Sequence, residues 1–191
     1  MFKDCHALRD ASKLNLSITD LKKEYCYLAM FMNCDNLLHV QKQLPAKELS
    51  AYCYSDMFYS CHSLVEAPEL PAKEVPMYGY SMMFFDCQSL KTVPDLRATT
   101  IENSSYYMMF AKCINLEKAP DLHVKYVSNQ YSCENMFKDC LRLEKKAKIH
   151  KNIFKKPFFK TKLSTQDREF TEEEYEAFLH IYDGCPCKDS K

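Results

Sequence analysis

The chain repeats one pattern of apolar and polar positions along most of its length. Each copy contains the octamer Met-Phe-x-x-Cys-x-x-Leu, in which two apolar residues, a thiol and a leucine keep a fixed spacing. The copies start at Met1, Met30, Met57, Met83, Met109 and Met136, which lie 26 to 29 residues apart. A period of this length is typical of repeat proteins, whose units bury their apolar faces against each other by stacking.

Within one copy, the apolar positions predict a short helix that ends in a turn. Tyr80, Met83, Phe84, Cys87 and Leu90 are spaced 0, +3, +4, +7 and +10, which follows one face of an α-helix. We therefore expect a helix of two to three turns in every repeat.

After the motif leucine, the pattern becomes typical of a short strand. In "SLVEAPEL" (63–70), leucines flank Ala67, and Pro68 limits how far a strand ladder can continue. We expect about three or four strand residues here. Repeats of strand, turn and helix predict an α/β fold. It would be a leucine-rich-repeat-type solenoid of about five coils, with short parallel strands on one face and short helices on the other.

The repeat pattern ends after Leu143, where a basic segment replaces it. Thr171 and Glu174 form a capping box that predicts the start of a helix, which we expect to cap the C-terminal end of the stack. The sequence thus predicts a solenoid over residues 1–147, then a basic segment and a capping helix over residues 148–191.

The repeat resembles that of the BspA-like leucine-rich-repeat surface proteins. The resemblance is carried by "CHSLVEAPELPAKEVPMYGYSMMFFDCQSL" (61–90) and its copies, and it covers roughly residues 1 to 147. It implies a repeat solenoid with a role in adhesion or partner recognition. Members of that family usually have a glycine directly before the motif cysteine. Here that position holds Asp4, Asn33, Ser60, Asp86, Lys112 and Asp139.

The composition bears on which partners the protein binds and in which compartment it is located. Basic and acidic residues balance at 26 each, so net charge does not point to nucleic acid or to a membrane surface. Charged residues such as Lys3 and Asp4 interrupt any apolar signal sequence, and no run of 18 apolar residues is present. These features predict a cytoplasmic protein, or a secreted or cell-surface one if the sequence has been trimmed.

The eleven cysteines raise the question of metal or disulfide chemistry. One cysteine per repeat at a fixed position favours buried packing over a metal chain or successive disulfides. Cys26 and Cys53 share a different position, four residues before the motif methionine, where they could meet across adjacent repeats. Cys185 and Cys187 form a close pair without a second pair, a weak metal signal that favours an exposed C-terminus.

Catalytic motifs are absent from the sequence. None of the six histidines belongs to an H-E-x-x-H motif, and two glycines are too few for a loop that cradles phosphate. We therefore expect a protein that is not an enzyme, with no catalytic residues, no metal and no cofactor.

A partner surface is expected where residues that vary between repeats point outward from the predicted strands. These residues occupy the first and second positions after the motif leucine. The first position gives Leu38, Val65, Lys91 and Glu117, and the second gives His39, Glu66, Thr92 and Lys118. Such a face suits protein–protein interaction.

The basic segment 145–162 offers an alternative, because phenylalanines interleave with its lysines. Lysines could contact phosphates while phenylalanines stack on bases. The candidate nucleic-acid contacts are Lys151, Lys155, Lys156, Lys160, Phe154 and Phe158. The same pattern also fits a solvated cap, which we favour.

The function that the sequence favours is therefore non-catalytic binding of a protein partner through the repeat face. One alternative is a phage- or mobile-element-type inhibitor that occludes a host nuclease complex, and another is binding of nucleic acid or nucleoprotein through the basic segment. A homodimer could form through the open N-terminal end of the stack.

Overall fold

The regular secondary structure is sparse. The protein is represented by a computed structural model that describes residues 1–128 and 130–144. Its elements are three strands, β1 (Glu74–Val75), β2 (Thr100–Ile101) and β3 (Tyr126–Val127), followed by a 3₁₀ helix, Gln130–Cys133.

The three strands form one parallel sheet in the order β1-β2-β3. Glu74 pairs with Thr100, and Thr100 pairs with Tyr126, so each strand is displaced from the next by one repeat. Isolated parallel bridges extend this pairing to other parts of the repeats. They join Asp10 to His39, Asp20 to Glu48, Gln43 to Glu69, Glu66 to Thr92, and Leu96 to Leu122.

The strand predicted in "SLVEAPEL" is shorter than expected. Within it, Glu66 forms a bridge to Thr92 and Glu69 forms a bridge to Gln43, but no two consecutive residues pair, and the two-residue strands lie farther along each repeat. Pro68 and Pro94 have no N–H to donate, so the ladder is interrupted at these two positions.

The helices predicted in the Met-Phe segments are wrong for the described residues. Each of these segments is a series of turns, which we call a turn ladder; the ladders span residues 25–34, 52–61, 78–87, 104–113 and 134–140, and the last one follows the 3₁₀ helix. In the ladder 78–87, the φ angle is 54° at Tyr78, 49° at Met82 and 59° at Asp86. An L-residue at positive φ leaves the right-handed α-helical region, so every fourth residue interrupts a helix.

Hydrogen bonding explains why the turn ladder replaces a helix. The Phe84 N–H donates to Met109 O in the next repeat at 2.9 Å, whereas the Phe85 N–H donates to Met82 O within its own ladder at 3.1 Å. Neighbouring residues alternate in this way, so that half of the amides join repeats together. A helix would use all of these amides internally.

The core is built from columns of identical positions in successive repeats. Phenylalanine rings stack with centroids 5.4–5.7 Å apart. The column consists of Phe2, Phe31, Phe58, Phe84, Phe110 and Phe137. A parallel tyrosine column consists of Tyr27, Tyr54, Tyr80 and Tyr106. The motif methionines, cysteines and leucines from Met30 to Leu143 are buried beside these rings.

The motif cysteines are part of this packing. The Cys61 thiol donates to Phe31 O and the Cys87 thiol donates to Phe58 O, both at 3.1 Å. Burial raises the pKa of both thiols. The cysteines of the described residues are thiols rather than disulfides, and each buried motif thiol finds its acceptor in the preceding repeat.

Candidate partner-binding surface

All eight residues predicted for the partner face lie at the surface. The backbone aligns them across repeats, because the Leu38 N–H donates to Arg9 O at 2.8 Å and the Glu117 N–H donates to Lys91 O at 3.1 Å. They form two adjacent columns along the stack. One is Leu38, Val65, Lys91 and Glu117, and the other is His39, Glu66, Thr92 and Lys118.

A groove with a volume of about 390 Å³ runs across this face, and we call it the strand-face groove. It brings together four of the predicted residues, namely Leu38, His39, Glu66 and Thr92. Val65, Lys91, Glu117 and Lys118 are exposed but do not line the groove. The groove therefore crosses the repeats that follow the octamers at Met30, Met57 and Met83.

The floor of the strand-face groove is apolar, and one part of its wall was missed by the sequence prediction. Val40, Ala67 and Val93 are half-buried in the floor. Gln41 and Lys42 add polar groups to the wall, and the Gln41 amide donates to Leu14 O of the preceding repeat. The segment between Leu37 and Leu44 is one residue longer than in the other repeats. This insertion was the sequence signal that Gln41 and Lys42 differ from their counterparts in the other repeats.

Exposed aliphatic side chains lie at one end of this face. Leu38 is 36% exposed and Val65 is 39% exposed, in consecutive repeats of one column. Charged residues lie beside this aliphatic pair, so this end of the face combines a small apolar area with polar surroundings.

A second groove, with a volume of about 580 Å³, was not predicted. It lies at strands β1 and β2, and we call it the Lys-Glu groove. Its wall alternates in charge, with Lys47 and Lys73 next to Glu48 and Glu74. The recurrence of "LPAKE" at 44–48 and 70–74 was the signal that could have predicted it.

Histidine and aspartate side chains alternate along another edge of the stack. His6 Nδ1 lies 2.7 Å from an Asp35 carboxylate oxygen, and His62 Nδ1 lies 3.2 Å from the other. His62 Nε2 lies 3.1 Å from Asp86. These side chains are partly exposed and connect four repeats. Each histidine therefore links the side chains of neighbouring repeats through polar contacts.

The predicted nucleic-acid contacts belong to the basic segment 145–162. Lys151, Lys155, Lys156, Lys160, Phe154 and Phe158 all lie outside the described residues. Over residues 1–128 and 130–144, no group of three His, Cys, Asp or Glu side chains could hold a metal ion. Within the same residues, no helix is long and apolar enough to span a membrane.

The N-terminal end of the stack carries an apolar groove with a volume of about 290 Å³. Phe2, Leu8 and Leu14 line it together with Phe31. Phe2, Leu8 and Leu14 belong to the first repeat, and Phe31 belongs to the second. Elsewhere in the stack, a preceding repeat covers the equivalent positions.

Comparisons with known proteins add no relative, because no family model, no curated protein and no solved structure matches this chain.

Proposed function

We propose that this protein is a leucine-rich-repeat-type solenoid of about five coils, of the BspA-like kind, which binds a protein partner without catalysis. The observation that carries the proposal is the strand-face groove. There the repeated framework holds side chains that differ from repeat to repeat. We place the protein in the cytoplasm on the basis of its sequence.

The geometry of the groove supports a peptide segment as the part of the partner that binds. A floor of Val40, Ala67 and Val93 can receive an apolar side chain, while His39 and Glu66 at the wall can hydrogen-bond to the partner's backbone. A recessed apolar floor with a polar wall gives both burial and orientation.

The test compares two double variants of the full-length chain. Leu38→Arg with Glu66→Arg places two cations at the groove, whereas Ile18→Arg with Met77→Arg alters exposed apolar residues that line none of the described grooves. Partners captured by the wild type are identified, purified and titrated by calorimetry. We expect affinity to fall at least tenfold for the groove variant and to change little for the control.

The result that would overturn this proposal is equal loss of affinity in both double variants, or no loss in either. The runner-up functions make different predictions. Replacing Lys151, Lys155, Lys156 and Lys160 with alanine would abolish a steeply salt-dependent affinity if the partner is nucleic acid. An inhibitor that occludes a host nuclease would capture that nuclease through the groove, so its identity separates this role from adhesion.

We also propose that two copies associate through the groove at the N-terminal end, where Phe2, Leu8 and Leu14 provide an apolar surface. This self-association is independent of partner binding at the strand face.

A further inference from the structure

One pair of cysteines differs from the thiols of the motif column. Cys26 and Cys53 occupy the same position in consecutive repeats, four residues before Met30 and Met57. The next repeat has Gly79 at this position, so the cysteine pair has no further copy above it.

Both sulfur atoms of this pair lie against one acceptor. Cys26 Sγ lies 2.8 Å from Lys23 O, and Cys53 Sγ lies 3.2 Å from the same oxygen. Because the two sulfurs share one acceptor, they lie close to each other, and rotation about χ1 can bring them to bonding distance.

The backbone fixes this proximity. The Tyr25 N–H donates to Ala51 O at 3.2 Å, and the Tyr27 N–H donates to Cys53 O at 2.9 Å. The chain segments that carry the two cysteines therefore run side by side at the spacing of paired strands, about 4.8 Å. That spacing lies inside the Cα–Cα range of natural disulfides, roughly 4.4–6.8 Å.

Cys26 and Cys53 also differ from the motif column in their exposure to solvent. Cys26 is exposed, whereas Cys53 is fully buried beneath it. Cys5 and Cys34 show the same combination of an exposed and a buried thiol. There, however, the Cys34 thiol donates to Phe2 O at 3.0 Å, an acceptor that Cys5 does not share.

We propose that Cys26 and Cys53 form a reversible oxidation site, at which a peroxide converts the two thiols into a disulfide that joins consecutive repeats. The Cys26 thiolate attacks one peroxide oxygen, which breaks the O–O bond and gives a sulfenic acid and water. The Cys53 thiolate then attacks the Cys26 sulfur, forming the S–S bond and releasing a second water. Two thiols are oxidised, one hydrogen peroxide is reduced, and no other reactant is needed.

The resulting disulfide would close a loop that contains Leu38 and His39, so one wall of the strand-face groove would become part of a covalent ring. Burial raises the pKa of Cys53. The second step is therefore slow at neutral pH and accelerates as the pH rises, because the thiolate is the attacking species.

The test treats the reduced full-length protein with a small excess of hydrogen peroxide, blocks the remaining thiols and maps the linked peptides by mass spectrometry. We expect a Cys26–Cys53 linked peptide that a dithiol reductant removes. Its formation should raise the melting temperature by roughly 5–10 °C. Cys26→Ser should lose both the linked peptide and the shift in melting temperature, whereas Cys5→Ser should keep both.

Several outcomes would overturn the proposal. These are a predominant Cys5–Cys34 peptide, linkage of Cys26 or Cys53 to any other cysteine, or oxidation of Cys26 to sulfinic acid without a disulfide. Cys53→Ala provides a second variant. It should retain the sulfenic acid on Cys26, trapped by a dimedone-type reagent, and circular dichroism would show that it remains folded.

Discussion

The buried tyrosines carry hydroxyl groups that the packing does not satisfy. Tyr80 and Tyr106 are fully buried, and their hydroxyls have no hydrogen-bond partner among residues 1–128 and 130–144. Burial raises the pKa of both phenols. A buried hydroxyl without a partner costs about 1–3 kcal/mol of desolvation. The rings of these residues therefore stabilise the fold by stacking, while their hydroxyls destabilise it.

Removing the Tyr80 hydroxyl should therefore stabilise the protein. We expect Tyr80→Phe to raise the free energy of unfolding by about 1 kcal/mol, measured by urea denaturation. The matched control is Phe84→Tyr, which adds a hydroxyl to the neighbouring phenylalanine column and should destabilise by a similar or larger amount. A loss of stability on Tyr80→Phe would show that the hydroxyl has a partner.

The thiols of the motif column make stability depend on pH in the alkaline range. Burial raises the pKa of Cys61, Cys87 and Cys113, and it raises the pKa of Cys140 to about 12. Because the unfolded thiols lose their protons at lower pH than the folded ones, stability is retained below about pH 9 and declines above it.

We expect the melting temperature to fall by several degrees between about pH 8 and pH 10, measured by calorimetry in the presence of a reductant. The buried tyrosines act in the same direction above their ordinary range. A Cys113→Ala variant has one titrating thiol fewer, so its decline should be shallower than that of the wild type. A melting temperature that stays constant up to about pH 10 would contradict the assignment of these residues as buried thiols.

At the scale of the element, the sequence predicted the repeat and its inward-facing residues but not the backbone that presents them. Tyr80, Met83, Phe84 and Cys87 are all buried, as the apolar pattern indicated. A helix has 3.6 residues per turn, and the turn ladder has a period of four residues. Over eleven residues, the two structures therefore place nearly the same positions inward. Periodicity alone therefore could not separate them.

A local signal for the turn ladder was present before each motif cysteine. The residue there, such as Asp86, has a φ angle of 54–61° in every described repeat. The resemblance implied a glycine at this position, and aspartate or asparagine, which tolerate left-handed φ better than most residues, replace it in four repeats.

The strand-face residues were placed correctly at the surface because they depend only on their distance from the buried leucine. The Lys-Glu groove depends on how repeats pair, so only the recurrence of "LPAKE" in two repeats, and not either repeat alone, could have indicated it.

A pair of alanines can test the turn ladder directly. Ala29 has a φ angle of 50°, whereas Ala51, also near a ladder, is not among the residues with positive φ. Ala29→Gly should be neutral or stabilising because glycine removes the left-handed strain. Ala51→Gly should cost about 0.5–1 kcal/mol, since it only adds freedom to the unfolded chain. Equal destabilisation by both, measured as free energy of unfolding, would argue for helical backbone at Ala29.

At the scale of the whole molecule, the turn ladders give the stack a direction. The peptide unit between Met30 and Phe31 accepts from the Phe2 N–H and donates to Met57 O, and the same relation repeats along the column. In the described ladders, every such backbone bond runs from the N–H of one repeat to the C=O of the next. The aligned peptide dipoles reinforce each other, and the N-terminal edge ends in carbonyl groups.

This direction restricts how two copies can meet. The carbonyls of Glu24, Cys26 and Leu28 accept no backbone hydrogen bond from the described residues. In a symmetric dimer through this end, acceptors would face acceptors, so backbone pairing between the copies is excluded there. We therefore expect the proposed homodimer to be held by side chains of the N-terminal groove rather than by this ladder.

Leu14 provides the test of that arrangement, because it lines the N-terminal groove and is half-buried. Leu14→Glu would place two carboxylates in the symmetric apolar contact, so we expect the dimer dissociation constant to rise at least tenfold in sedimentation equilibrium. Ile18→Glu is the matched control, since Ile18 is 55% exposed and lies outside the groove. A wild-type protein that stays monomeric at every concentration, or a dimer that both variants weaken equally, would place self-association elsewhere or exclude it.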